Sequence, residues 1–218
     1  MDLIRFISVY GLLSLLILAF LYMGVKILKR NRSAHGKYLA AFFFTGSVPL
    51  ILNLMYAPLK VNPLVTWLHL TANYAATLGF SFLLIFLLIL WKSTRIVSKK
   101  LQFLLACSNA VYFLLIYVIP GGVILNASTD WKPLFTPHFF WFLFLSTLIG
   151  HFIPILYISV KIRALIRDEK LRKRWNYFMA GTMLYFGIFF STLILNLSLE
   201  TLFKVLIMII GTFVVRQQ

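Results

Sequence analysis

Histidines, a spaced row of amides and hydroxyls, and the positions of a few acids decide what chemistry this chain can carry. The row is Thr66, His69, Asn73, Thr77 and Ser81. Steps of three and four residues put them on one face of a helix. Among so many Leu, Phe and Ile, that face turns toward other helices, where its hydrogen bonds can be satisfied. One reading is the wall of a small polar cavity opening outward, with His69 at its rim. The other is ordinary interhelical hydrogen bonding, worth about 1 kcal/mol per contact. Asn53, from a neighbouring stretch with Thr45, Gly46, Ser47 and Pro49, is a candidate for the same cavity. A second, shorter set is Ser146, Thr147, His151 and Pro154. Pro154 frees the carbonyl of Gly150 and favours a kink. His151 at that depth is either a proton-sensitive switch or a neutral group bonded to a helix backbone.

Haem held by two imidazoles needs histidines at similar depth on different helices. Only His69 and His138 qualify. His151 lies about 20 Å beyond His138 at 1.5 Å per helical residue, and His35 falls in a basic loop. The expectation is no cofactor and no metal, with haem on His69 and His138 as the alternative. The acids are Asp2, Asp130, Asp168, Glu169 and Glu200, and all map to loops or helix ends. Intramembrane carboxylates usually serve proton relays and cation sites, so carboxylate-coupled pumping and sodium symport are not expected. Lys204 has no acid at depth to act as counter-ion for a retinal, and catalytic acid pairs, zinc-protease helices and phosphate loops are missing. Cys107 stands alone, so neither an intramolecular disulfide nor a thiolate cluster can form. These features predict a non-enzyme.

The elements that must position these residues are membrane helices. The 218 residues are 61% hydrophobic and 12% charged, against about 45–50% and about 25% in soluble domains. A span needs about 20 apolar residues. Seven segments meet or approach that length: 3–27, 38–57, 65–91, 101–119, 138–160, 176–197 and 199–215. The fold class is therefore all-α, a polytopic integral membrane protein forming a single transmembrane domain over 1–218. The net charge of +16 does not point to nucleic acid, because the basic residues sit in short runs between apolar stretches. Of 21 Lys and Arg, 17 fall in alternate loops and at the C-terminus. That bias places those loops in the cytoplasm and predicts a seven-helix bundle, N-out and C-in, in the plasma membrane.

The basic loop 161–175 carries Lys161, Arg163, Arg167, Arg172, Lys173 and Arg174, candidates for contact with anionic lipid or a cytoplasmic partner. No breaker interrupts 164–171, so the fifth helix is able to continue into it. The long outer loop, 120–137, holds turn and breaker residues including Gly121, Gly122, Asp130 and Pro133. Tyr56, Trp67, Tyr117 and Trp141 fall near the outer boundary, and Trp91, Tyr157, Trp175 and Tyr177 near the inner one. They read as headgroup anchors.

The topology, with the stretch Pro63-Leu64-Val65-Thr66-Trp67-Leu68-His69-Leu70 and the passage from Phe135-Thr136-Pro137-His138-Phe139-Phe140-Trp141 through the basic loop to Met179-Ala180-Gly181, resembles the seven-transmembrane sensor regions that precede prokaryotic histidine kinases. The resemblance spans most of the chain and implies a receptor-like sensory or signal-relay module. It carries over no ligand-binding motif. Those sensors continue into a cytoplasmic output domain, whereas this sequence stops at Arg216-Gln217-Gln218, so it is expected to act through a partner. Two further expectations stand beside it: an accessory subunit of a larger membrane complex, and a facilitator for a lipidic or weakly polar substrate.

Overall fold

The computed structural model describes residues 7–197. The expected seventh span, 199–215, lies outside the described residues, as do Asp2, Arg5, Glu200, Lys204 and Arg216. The chain is mostly helical, and six stretches are long and apolar enough to cross a membrane: Tyr10–Arg30, Ala34–Tyr56, Leu64–Ile96, Lys99–Tyr117, Pro137–Leu165 and Glu169–Leu195. By that measure it is an integral membrane protein.

The helices are α1 (Leu13–Arg30), α2 (Ala34–Tyr56), α3 (Leu64–Ile96), α4 (Lys99–Phe113), α5 (Pro137–Thr147), α6 (Ile153–Leu165) and α7 (Glu169–Leu195). A π-helical turn, Ile7–Leu12, precedes α1, and another, Leu148–Phe152, joins α5 to α6 within one span. Three helices start on side-chain caps at the end rich in Lys and Arg. Ser33 accepts from Gly36 N, Ser98 from Leu101 N, and Asp168 from Leu171 N at 2.8 Å. Each cap satisfies a backbone donor that the first turn cannot satisfy itself.

The last of these caps limits the expected continuation of the fifth helix, which enters the basic loop for five residues past 160 and goes no further. α6 stops at Leu165, Ile166 is extended, and α7 begins afresh at Glu169. Aspartate at an N-cap competes with helix continuation because its carboxylate bonds the new first turn. At its other end α3 also departs from expectation, running past Trp91 to Ile96 with a non-helical Ser93 at φ 68°.

α3 is the axis of the bundle. Phe80, Leu83, Ile85 and Leu87 are buried, while Leu15 and Leu18 on α1 and Phe103 and Leu104 on α4 face outward, as lipid contact requires. α2 approaches α3 closely because both present glycine: a Cβ on Gly79 would lie 3.1 Å from Thr45 Oγ1 and 3.7 Å from Gly46 N. Small residues at such a crossing let backbones meet and dispersion contacts accumulate.

The loop 120–137 is more ordered than its breaker residues suggest. Val123–Ile124 (β1) and Leu134–Phe135 (β2) form an antiparallel pair. Between them Asn126 and Thr129 make a capping box around one 3-10 turn. Val123, Leu125 and Phe135 point into the bundle and are buried. Phe135 N donates to Asn196 O at 2.7 Å, tying the hairpin to the exit of α7.

Candidate functional site

The polar face of α3 divides into two clusters. The first lies beneath the hairpin. Asn53 and Tyr56, three residues apart, share one face of the last turn of α2. The Tyr56 hydroxyl donates to Asn53 Oδ1 and also lies 2.7 Å from His69 Nδ1 on α3. One turn further along α3, Asn73 Nδ2 donates to the His69 carbonyl oxygen at 3.0 Å. The His69 ring is buried, with Tyr56 and Phe135 at centroid distances of 5.7 and 5.6 Å. Its Nε2 has no hydrogen-bond partner among the described residues.

A tyrosine hydroxyl carries one proton, which links its bonds to Asn53 and His69. With Tyr56 donating to Asn53, its oxygen accepts from His69 Nδ1–H, and Nε2 is the unprotonated acceptor nitrogen. If the hydroxyl proton turns to Nδ1 instead, Nε2 carries the hydrogen. The tautomer of His69 and the orientation of Tyr56 are one variable.

Asn53, Tyr56, His69 and Asn73 line one end of a cavity of about 720 Å³, within the range of about 300–1,000 Å³ usual for small-molecule sites. Apolar walls come from Pro49 and Leu50 on α2, Ala72 and Ala76 on α3, and Phe189 and Leu193 on α7. The hairpin supplies the rim, where Lys132 pairs with Asp130 at 3.4 Å. Asn53 Nδ2 and Asn73 Oδ1 carry no hydrogen bond among the described residues.

The second cluster is deeper. Ser81 Oγ donates to the Thr77 carbonyl at 3.2 Å and lies 3.0 Å from His151 Nε2, which can then donate to it. His151 belongs to the π turn between α5 and α6 and packs against Phe80 and Phe113. Its Nδ1 and Thr147 Oγ1 are buried without partners among the described residues. Pro154 falls in the first turn of α6, where its missing N–H costs little. The expected kink thus takes the form of a π turn, a feature frequent at functional sites.

Of the residues expected to share a cavity, His69, Asn73 and Asn53 come together. Thr66 does not, because it donates to Asn62 Oδ1 in the turn before α3. Thr77 is fully buried below the cavity and donates to the Tyr74 carbonyl at 2.8 Å. His151 belongs to the deeper cluster. His138, the other proposed haem ligand, is exposed on the first turn of α5 and lines no part of the cavity. Among the described residues no three of His, Cys, Asp and Glu gather as a metal site would require. Lys161, Arg163, Arg167, Arg172, Lys173 and Arg174 are all exposed at the end opposite the hairpin. Arg163 Nε donates to Asn176 Oδ1 at 2.7 Å, and the Lys161 ammonium sits over the Tyr157 ring. The residue that sequence reasoning misplaced is Tyr56. Expected to be a headgroup anchor, it is buried and bonds two other helical residues. Its spacing from Asn53 was the available signal.

No family model, curated protein or solved structure matches this chain.

Proposed function

We propose that this protein is a receptor-like sensory module that binds a small molecule in the cavity beneath the hairpin and relays its presence to a partner protein at the basic face. In this reading the chain has seven spans, with its N-terminus outside and its C-terminus in the cytoplasm. The observation that carries the proposal is the position of the cavity on α3. Its polar end is built on the helix that forms the axis of the bundle and ends at the basic residues Lys92 and Arg95. A ligand that reorients Tyr56 changes a bond made directly to that helix. Halfway along, the same helix touches the π turn through Ser81 and His151, and the unpaired polar atoms there make a second arrangement accessible. The charge bias of the loops supports the orientation, and the resemblance to kinase-linked sensor regions supports the class.

The test uses the full chain drawn from its source membrane into nanodiscs with native lipid. Native mass spectrometry is expected to show a bound small molecule on the wild type that Asn73→Leu loses. Hydrogen exchange across 166–174 is expected to differ between the occupied and empty forms. Equal bound mass in both proteins would reject the ligand, and unchanged exchange would reject the relay. Stoichiometric copurification with the subunits of an enzyme complex would favour an accessory role instead.

A further inference from the structure

We infer that the ligand of this cavity is an uncharged amphiphile, an apolar body ending in a hydroxyl-like group that both donates and accepts a hydrogen bond. The inference rests on the sensory reading of the same cavity and adds the chemical class. It starts from two carboxamides on adjacent helices. Asn73 uses one of its two Nδ2 hydrogens on the His69 carbonyl and leaves Oδ1 as an acceptor. Asn53 spends its acceptor on the Tyr56 hydroxyl and leaves Nδ2 as a donor. The polar end therefore presents at least one open donor, Asn53 Nδ2, and one open acceptor, Asn73 Oδ1, beside a His69 Nε2 that has no partner among the described residues.

A hydroxyl meets both at once. A carboxylate only accepts, so it would set its lone pairs against Asn73 Oδ1. An ammonium only donates, so it would set its hydrogens against Asn53 Nδ2. A charged group would also have to leave water, which is costly unless a counter-charge waits for it. Lys132, at the rim, already stands 3.4 Å from Asp130, with both side chains mostly exposed. The remainder of the site suits an apolar body. Pro49, Leu50, Ala72, Ala76 and Phe189 form smooth walls. Ile188 and Leu195 line the cavity yet are 54% and 81% exposed (Ile188 and Leu195 thus continue the apolar wall onto the outer face of α7).

The experiment uses the full chain in nanodiscs and four photoreactive probes sharing one ten-carbon chain with the same diazirine. They end in a hydroxyl, a carboxylate, a primary ammonium or a methyl group. Labelled residues are mapped by peptide mass spectrometry, with lipid-facing Leu104 as the background position. The alcohol is expected to saturate labelling of cavity residues at about ten-fold lower concentration than the other three, the effect of one well-made hydrogen-bonding contact. Asn53→Leu and Asn73→Leu should abolish that advantage, while Asn73→Gln, which keeps the donor and acceptor, retains it. Retention of wild-type melting in Asn73→Gln guards against a folding artefact. Labelling of the cavity that is equal for the alkane, or better for either charged probe, overturns the ligand class and leaves the sensory reading standing. Labelling by no probe above the Leu104 background overturns both.

Discussion

Replacing Tyr56 by Phe removes a hydroxyl that, among the described residues, joins α2 to α3 at the polar end of the cavity. It bonds Asn53 and His69, and His69 is 6% exposed with its other ring nitrogen already unpartnered. Contacts of this kind inside membrane bundles average about 0.6 kcal/mol and reach about 1.7. Stranding a buried polar group adds a further cost, about 1–3 kcal/mol in water-soluble proteins. Tyr56→Phe is therefore expected to destabilise by about 1–2 kcal/mol, and His69→Phe by a similar amount. The interhelical bond is lost only once, so the double variant should fall short of the sum by about 1 kcal/mol. The assay is reversible unfolding in mixed micelles with increasing SDS mole fraction, followed by tryptophan fluorescence. Tyr56→Phe with Ser81→Ala serves as the distant pair and should be additive to within about 0.3–0.5 kcal/mol. A Tyr56–His69 coupling no larger than that margin would refute the shared-hydroxyl description of the site.

Ser81→Ala alone leaves both nitrogens of the buried His151 ring without partners and should cost about 1–2 kcal/mol in the same micelle assay. Gly46→Val should destabilise by about 1–3 kcal/mol, because even a Cβ there would lie 2.7 Å from the Phe20 ring. Gly181→Ala, whose Cβ meets nothing within 4 Å, should be neutral or stabilise by about 0.5–1 kcal/mol through helix propensity; thermal melting in detergent separates the two. Asp168→Ala removes the N-cap of α7, worth about 1 kcal/mol, and amide exchange at Leu171 should accelerate about five-fold. Single cysteines at Ser98 and Arg172, in a Cys107→Ala background, should both be shielded from an impermeant thiol reagent in intact cells while one at Ser128 reacts; reaction at only one of Ser98 and Arg172 would break the proposed topology.

The spans were legible because membrane helices announce themselves by length and apolarity, and the six described ones fall where the segments 3–27 to 176–197 put them, within a few residues at most ends. The polar face of α3 was legible for the same reason, since helical spacing fixes which residues share a side. What the sequence did not reveal was partnership across helices. Nothing in the spacing of Thr66 distinguishes it from His69, yet one bonds a turn residue and the other closes a cavity. Trp175 shows the same gap: expected at the headgroups, it donates from Nε1 to the Ser159 carbonyl at 3.0 Å and so fastens α7 to α6. The break at Ile166 was missed because a single Asp168 is a weak signal in a run of good helix formers. The hairpin was missed because its strands are two residues each, too short for an alternating pattern to register.

The fastening of that hairpin to α7 runs through main-chain atoms, from Phe135 N to Asn196 O. No side chain is needed for it, so alanine scanning of either position would remove packing yet leave the latch shut. Only a change that deletes the donor, such as Phe135→Pro, opens it. At position 196 the latch asks only for a carbonyl, whereas at 135 the buried ring against His69 and Phe139 is held by packing as well, so the two ends of one bond are constrained by different physics.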